Sequence, residues 1–306
     1  MNTTTTTAVP ARTHLPDAPA PDVSAPDGQA PEALVREHAH RVRRHVAQMC
    51  ANPEGGHLGG SVSMAEILAT LYHAVLRVDP GDPAAPDRDV LILSKGHGAL
   101  GLYAALAGRG FFPEELLSDY GNPDSPLTAH PNPAVPGVEM PTGSLGHGLA
   151  LGVGTALDFR LSGADRRCFV VLGDGELQEG SVWEAAMMAS ALHLDQLVAV
   201  VDANGLQITG PVTAAMGEPG LAERWRGFGW AVHEVDGHDP AALRAAFCST
   251  PDGDGRPAVV LARTVKGRGF PQVEGQARSH YARLTDRQVK RALRLLESEQ
   301  RRSSGL

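Results

Sequence analysis

Short apolar segments alternate along this chain with longer segments in which apolar positions recur every three or four residues. The short segments predict strands at residues 89–93, 168–172, 197–201, 231–235 and 258–262. The periodic segments predict helices at residues 31–49, 63–77, 98–107, 145–161, 180–192, 240–248 and 285–298. Strands with apolar runs that alternate with helices are typical of a parallel sheet covered on both faces. The pattern therefore predicts an α/β fold, a three-layer α/β/α sandwich with a mainly parallel sheet.

The same pattern sets the limits of the folded domain. Residues 1–30 are rich in Thr, Ala, Pro and Asp and lack the basic and apolar segments of a signal peptide, so we expect a disordered tail. One domain is expected from residue 31 to residue 300, with a mobile arm between Lys266 and Ser279. Ser63 and Glu66 have the spacing of a capping box, which predicts that the second helix begins there.

Charge and cysteine content restrict the possible partners and the compartment. The formal net charge is -8, and an acidic chain is a poor binder of nucleic acid or anionic membranes. No apolar run approaches the ~18 residues of a membrane span, so we expect neither a nucleic acid nor a membrane partner. Cys50, Cys168 and Cys248 show no CxxC spacing. They are predicted to be buried thiols in a reducing compartment, which indicates a cytoplasmic protein.

The strongest chemical signal follows two neighbouring predicted strands. Asp174 comes directly after strand 168–172, flanked by Gly173 and Gly175, and Asn204 follows the next strand. The carboxyl ends of parallel strands meet at one edge of a sheet, where α/β proteins bind ligands. Asp174 offers a carboxylate oxygen, Asn204 an amide oxygen and Leu206 a backbone carbonyl, which are ligands that Mg²⁺ accepts. These residues predict a magnesium site at this edge.

A diphosphate would suit the same place. Gly173 and Gly175 allow the backbone to approach a ligand closely, and the N-terminus of the next helix would present free N–H groups to an anion. The alternative is a pair of unrelated turns that happen to follow strands. The position of both segments at strand ends favours the ligand site, and this arrangement resembles that of thiamine diphosphate enzymes.

Further segments resemble the N-terminal half of transketolase, and they occur in the same order over residues 35–290. The matching segments are Gly56–Gly60, Leu93–Gly98, Ala129–Pro131, Pro141–Gly148, Gly175–Glu184 and Ser279–His280. Three residues depart from the family pattern. His147 stands where the family has Gln, Ala129 where it has Gly, and Tyr281 where Gly is common.

The resemblance implies a thiamine diphosphate-binding fold, with thiamine diphosphate and Mg²⁺ as cofactors, and it implies roles for particular residues. The implied cofactor-binding residues are His97, Gly143, Ser144, Leu145, Gly173, Asp174, Gly175, Glu176, Asn204 and His280. The implied catalytic residues are His57, His97, His130, His280, Glu179 and Glu184. An imidazole can donate a hydrogen bond to a sugar hydroxyl or move a proton near neutral pH. The two glutamates would lie near a dimer interface and link paired active sites.

The resemblance also implies a missing partner. Transketolases are usually more than twice as long, and their second domain carries the glutamate that activates the aminopyrimidine ring. Nothing after Leu261 is long enough to be that domain. We therefore expect a separate C-terminal transketolase subunit, with two copies of each chain. The reaction would transfer a two-carbon ketol unit from a ketose to an aldose, with sugar phosphates or related sugars as substrates.

Two other classes of function stay open at this point. Another thiamine diphosphate enzyme would share the cofactor motif, either a deoxyxylulose-phosphate synthase or the α subunit of an α-keto-acid dehydrogenase. A non-catalytic scaffold subunit could keep the fold without the chemistry. Intact Asp174 and Asn204, together with the loop histidines, argue against a scaffold.

Overall fold

The computed structural model describes residues 31–216 and 220–303, and its centre is a five-stranded sheet. All neighbouring strands of this sheet run parallel, in the spatial order β1-β2-β3-β7-β6. The strands are β1 (Val90–Leu93), β2 (Cys168–Gly173), β3 (Leu197–Ala203), β6 (Ala231–Asp236) and β7 (Ala258–Arg263). A small antiparallel hairpin follows β3 and consists of β4 (Leu206–Gln207) and β5 (Gly210–Pro211).

Helices cover both faces of the sheet. One layer contains α1 (Pro31–Met49), α2 (Leu58–Val62), α3 (Ala65–Thr70), α4 (Ala99–Arg109), α9 (Pro240–Cys248) and α10 (Asp286–Ser303). The other contains α5 (Gly148–Ser162), α6 (Gly180–Ala191) and α8 (Leu221–Gly227). The short helix α7 (Val212–Met216) follows the β4–β5 hairpin.

Alternate side chains of each buried strand enter two separate apolar cores. Phe169 and Val171 of β2 pack with α1, α3 and α4, whereas Val170 and Leu172 pack with α5 and α6. A strand that is buried on both faces needs apolar residues at every position, which explains the uninterrupted run in β2. The predicted three-layer α/β/α architecture is confirmed.

The region around Ser63 corrects one sequence prediction. A single helix over residues 63–77 was expected, but α2 ends at Val62, α3 begins at Ala65, and a π-helical turn covers Leu71–Val75. The predicted capping box is wrong, because no side chain caps the N-terminus of α3. The Ser63 hydroxyl instead donates to the Asp202 carboxylate, and Glu66 forms an ion pair with Arg43. Ser63 and Glu66 therefore form contacts with residues distant in the sequence and do not cap the helix.

Two further expectations change. The segment from Lys266 to Ser279 packs against the domain rather than extending from it, since Lys266, Phe270 and Ser279 are all buried. Cys50 and Cys168 are buried as expected, but Cys248 is exposed at the end of α9.

Residues 1–30, predicted to be a disordered tail, lie outside the described residues. Within residues 31–216 and 220–303, no helix has both the length and the apolar character needed to cross a membrane.

Candidate cofactor and substrate site

The parallel register brings the two motif segments to the same edge of the sheet. Gly173 at the end of β2 pairs with Asp202 of β3, so Asp174 and Asn204 follow neighbouring strand ends. The Asp174 carboxylate accepts hydrogen bonds from the N–H groups of Gly175 at 2.9 Å and Gly205 at 2.5 Å. The Asn204 amide oxygen accepts the Leu206 N–H at 3.1 Å. We call Asp174, Asn204 and the Leu206 carbonyl the metal corner.

A buried ion pair lies directly beneath the metal corner. Lys95, which follows β1, donates to the Asp202 carboxylate and also to the Gly60 carbonyl at 2.8 Å. Asp202 accepts further hydrogen bonds from Asn204, at 3.1 Å, and from the hydroxyls of Ser63 and Thr264. Burial acts to raise the pKa of Asp202, but the Lys95 ammonium and these donors outweigh it and hold the pKa below its ordinary value. The pair fixes the orientation of Asn204.

A second buried lysine contacts the metal corner at the Leu206 carbonyl. Lys266, just after β7, donates to the Leu206 carbonyl at 3.0 Å and is almost fully buried. Burial and the nearby Lys95 ammonium lower its pKa to about 8, against the opposing effect of Asp202 and Asp174. An ammonium here adds positive charge at the place where the sequence predicts an anionic diphosphate.

Glu176 connects the loops that surround the metal corner. Its carboxylate accepts the N–H groups of Gly146 at 2.9 Å and Gly173 at 3.1 Å, together with the Ser94 hydroxyl. Burial raises the pKa of this carboxyl even though these donors favour the ionised form. In this structure Glu176, which was predicted to bind the cofactor, is buried and uses both oxygens to hold neighbouring backbone in place.

The predicted histidines come together from four separate loops. The His57 ring centroid lies 5.6 Å from that of His97, 6.1 Å from His130 and 5.3 Å from His280, and the His97 and His280 rings are 5.2 Å apart. We call these four residues the histidine cleft. A Cβ added at Gly143 would lie only 3.0 Å from the His130 ring, so the cleft directly adjoins the predicted cofactor loop.

Three rings of the cleft, those of His57, His97 and His280, are held in the neutral form. Burial lowers the pKa of His57 and His280 to about 4 and that of His97 to about 2, and neighbouring charges add to the shift. The Nδ1 atoms of His57 and His280 are buried and have no hydrogen-bond partner within the described residues. A neutral imidazole can donate at one nitrogen and accept at the other, so these atoms are available to a polar ligand.

The local chemistry fits a divalent cation with a diphosphate. Burial and the neighbouring Asp202 carboxylate raise the pKa of Asp174 to about 6, a cost that a bound cation would reverse. The metal corner offers one charged and two neutral oxygens, the hard donor set that Mg²⁺ takes in proteins. A Cβ at Gly205 would meet no atom within 4 Å, which leaves open space beside Asp174.

The remaining predicted residues lie on the rim. Ser144 is exposed and Leu145 half-buried in a loop that turns at Gly146, where φ is +82°, so α5 begins at Gly148 and not at Leu145. Glu179 and Glu184 are exposed at the start and in the first turns of α6. His147 is exposed, and its Nδ1 lies 3.0 Å from the Leu145 carbonyl. None of these side chains reaches the histidine cleft in this chain alone.

Sequence reasoning missed three residues of the site: Lys95, Asp202 and Lys266. Each one is a charged residue at or just beyond the carboxyl end of a buried apolar strand. A fully buried charge is rare unless it is paired, so a charge in that position is itself a signal of a ligand site or an ion pair. Lys266 was hidden because its segment was interpreted as a mobile arm.

Comparisons with known proteins agree with this geometry. A family model described as the transketolase thiamine diphosphate-binding domain matches residues 35–301. The 6-deoxy-6-sulfo-D-fructose transketolase subunit SqwG of Clostridium sp. is 41% identical over 245 residues, which cover 80% of this chain and 89% of that protein. An apulose-4-phosphate transketolase subunit of Actinobacillus succinogenes is 42% identical over 263 residues, which cover 85% of this chain and 95% of that protein.

Solved structures give the same result. The transketolase of Campylobacter jejuni superposes with a TM-score of 0.80 at 29% identity over 86% of this chain, which corresponds to 43% of that longer chain. The chain thus spans less than half of that transketolase, whereas it matches the Clostridium and Actinobacillus proteins over most of their length.

Fold and sequence together define a thiamine diphosphate-binding domain of the α/β class. The chain belongs to the transketolase family, as a thiamine diphosphate-binding subunit.

Proposed function

We propose that this chain holds the diphosphate of thiamine diphosphate through Mg²⁺ and that a second chain completes the active site. The observation that carries the proposal is the metal corner. Asp174, Asn204 and the Leu206 carbonyl gather at two adjacent strand ends, with Lys266 3.0 Å from that carbonyl. Three oxygen ligands and a buried ammonium suit a metal diphosphate better than any uncharged ligand.

The chain's own residues then have distinct roles in the reaction. When bound, thiamine diphosphate supplies the electron sink for breaking and forming carbon–carbon bonds. Asp174 and Asn204 bind the metal, and the loop from Gly143 to Leu145 lines the cofactor. His57, His97, His130 and His280 bind sugar oxygens, and the neutral rings of His57, His97 and His280 hold or accept protons at those oxygens.

The substrates follow from this arrangement. Three imidazoles whose ring centroids lie 5.3 to 6.1 Å from that of His57 suit a chain of adjacent hydroxyls, as in an open-chain ketose. The names of the Clostridium and Actinobacillus relatives give a sulfo-sugar and a sugar phosphate as substrates, so the anionic end group differs between them. We assign to this chain the transfer of a two-carbon ketol unit from a ketose, phosphorylated or otherwise anionic, to an aldose.

A partner chain is proposed for the aminopyrimidine end of the cofactor. Met187 and Met188 on α6 are about half exposed, and Leu161 on α5 is 79% exposed. Met187 and Met188 lie one turn beyond the exposed Glu184 on the same face of α6, and this face is suited to burial against another chain. A separate C-terminal transketolase subunit would cover it, with two copies of each chain in a closed two-fold assembly. Glu179 and Glu184 would then connect paired sites.

The proposed compartment is the cytoplasm. Cys50, Cys168 and Cys248 are all free thiols, and Cys248 is exposed. Free thiols are usual in proteins of a reducing compartment, where disulfides rarely form.

Calorimetric titration of the purified chain with thiamine diphosphate, with and without Mg²⁺, tests the proposal. Asp174→Ala and Asn204→Ala should each abolish magnesium-dependent binding. Each change removes an oxygen ligand of Mg²⁺, and the charge of the diphosphate is then poorly neutralised. Asp158→Ala and Asn122→Ala, which change exposed residues outside the metal corner, are the matched controls. Wild-type affinity in either corner variant would overturn the assignment. Binding of the cofactor by a complex that has no ketol-transfer activity would favour a scaffold subunit.

A further inference from the structure

Among the described residues, Tyr281 is the one tyrosine whose ring packs against an imidazole ring of the histidine cleft. Its ring centroid lies 4.9 Å from that of His57, in an edge-on arrangement with an interplanar angle of 86°. This is the shortest of the four ring contacts that His57 makes. Tyr281 is 48% exposed, whereas His57 is half-buried, so the Tyr281 ring lies on the solvent side of His57.

The backbone holds this ring in place. Gly56 and Ala282 form an antiparallel bridge with two hydrogen bonds of 2.9 Å, which fixes Tyr281 beside the turn that carries His57. The Tyr281 hydroxyl donates to the Glu54 carbonyl in the same turn. A Cβ added at Gly55 would come within 3.2 Å of the Tyr281 ring. A ring fixed at both its backbone and its hydroxyl is a rigid wall and not a movable lid.

The direction of a bound sugar chain follows from the order in which the cofactor loop, the imidazoles and the Tyr281 ring lie along the cleft. The reacting end must lie near the cofactor loop, which His130 adjoins through Gly143. From there a chain that binds to the imidazoles extends along the cleft to His57, whose shortest ring contact, at 4.9 Å, is with Tyr281. The Tyr281 ring, anchored to the exposed Glu54, lies on the solvent side of His57. A longer sugar chain would meet this ring before it reached solvent.

We propose that Tyr281 sets the length of ketose that the site accepts, so that the preferred donor is a short open-chain ketose. This inference rests on the proposed function, since it concerns the substrate of that same site. The rigid ring closes the space beyond His57, and a fixed aromatic wall discriminates by shape. Discrimination of this kind, set by one or two carbon-sized groups, is typically about 10- to 200-fold.

The test compares five-carbon and seven-carbon ketose phosphates as donors for the complex of this chain with its partner. The measured quantity is the ratio of the two kcat/KM values, which does not depend on the fraction of enzyme that is folded. Tyr281→Ala should raise the ratio of seven-carbon to five-carbon activity by about tenfold or more. Tyr281→Phe keeps the ring and loses only the bond to Glu54, so the ratio should stay near that of the wild type. Asp254→Ala, which changes an exposed residue in the loop before β7, controls for unspecific effects.

Binding of the corresponding alditol phosphates, which lack the carbonyl and cannot react, gives a second readout by calorimetry. An unchanged ratio in Tyr281→Ala, or an equal change in Tyr281→Phe, would overturn the inference while the proposed function stands. Absence of ketol transfer from every ketose by the wild-type complex would instead overturn the proposed function. The alditol affinities would then test the role of the ring by themselves, and equal affinities in wild type and Tyr281→Ala would refute it.

Discussion

In the metal corner, each carboxylate and amide already has partners within the chain. Asp174 accepts two backbone N–H groups, Asn204 bonds to Asp202 and Leu206, and Asp202 is paired with Lys95. In the histidine cleft, by contrast, two buried ring nitrogens have no partner within the described residues. The two regions lie side by side at one edge of the sheet.

The difference shows which polar groups find their hydrogen-bond partners within this chain and which do not. Polar groups that are satisfied internally keep one geometry before any ligand arrives, so the proposed binding of a metal diphosphate at the metal corner would need little rearrangement. Buried polar atoms without partners carry a cost that a ligand can remove. The cleft is therefore the region in which binding of a substrate should gain most from new hydrogen bonds.

The largest expected effect comes from the ion pair that supports the metal corner. Asp202→Ala would leave the buried Lys95 without its counter-ion, and losing one partner of such a pair typically costs about 3–5 kcal/mol of stability. Urea unfolding followed by circular dichroism measures this change. Asp252→Ala removes a partner of Arg256 in an ion pair that has an exposed arginine, and should cost only about 0.2–1 kcal/mol. Equal losses in the two variants would mean that the corner is not preorganised by this pair.

The next largest effect is on turnover, and it distinguishes the role of the histidine cleft from that of the metal corner. His97→Ala or His130→Ala, measured in the complex with the partner chain, should lower turnover of sugar phosphates by about 10²-fold, the scale of one acid–base contact. Affinity for thiamine diphosphate should fall much less, because the metal corner is unchanged. Steady-state kinetics and calorimetry on the same preparations give both quantities. Full activity in both variants would reduce these loops to a structural role.

The smallest effect concerns pH. The folded-state pKa values of His57 and His280 are about 4, below the ordinary value of 6.5, so the unfolded chain takes up protons that the folded chain does not. Stability should therefore fall as pH drops from about 6.5 towards 4 and should not depend on these groups above pH 7. Titration of the imidazole NMR signals should show neither ring gaining a proton above pH 5. Protonation near pH 6.5 would show that the cleft is open to solvent in the isolated chain.

The sequence predicted the sheet and the gathering of the histidines for a clear physical reason. Strands that are buried on both faces require uninterrupted apolar runs, and such runs are visible in the residues alone. His57, His97, His130 and His280 lie in four loops, and the order of motifs was enough to expect them together. The fold then brings their rings within 6.1 Å of the His57 ring.

Long-range side-chain contacts could not be predicted in the same way. Ser63 and Glu66 have the local spacing of a cap, but Asp202 and Arg43, which lie far away along the chain or on another helix, bind them more strongly. Lys266 follows the last strand of the sheet in a glycine-containing segment whose composition indicates mobility. Its burial depends on its contact with Leu206 and on the hydrogen bond from the neighbouring Gly267 N–H to the Gly59 carbonyl, which only the folded chain creates.

The central claim is that this chain binds the cofactor but cannot activate it alone. The direct measurement is the exchange rate of the thiamine C2 proton with deuterated solvent, followed by NMR on the cofactor with magnesium and the purified chain, before and after addition of the partner chain. We expect binding without accelerated exchange for this chain alone, and fast exchange together with ketol transfer once the partner is present. Fast exchange with this chain alone, shown by mass spectrometry to be free of the partner, would contradict it.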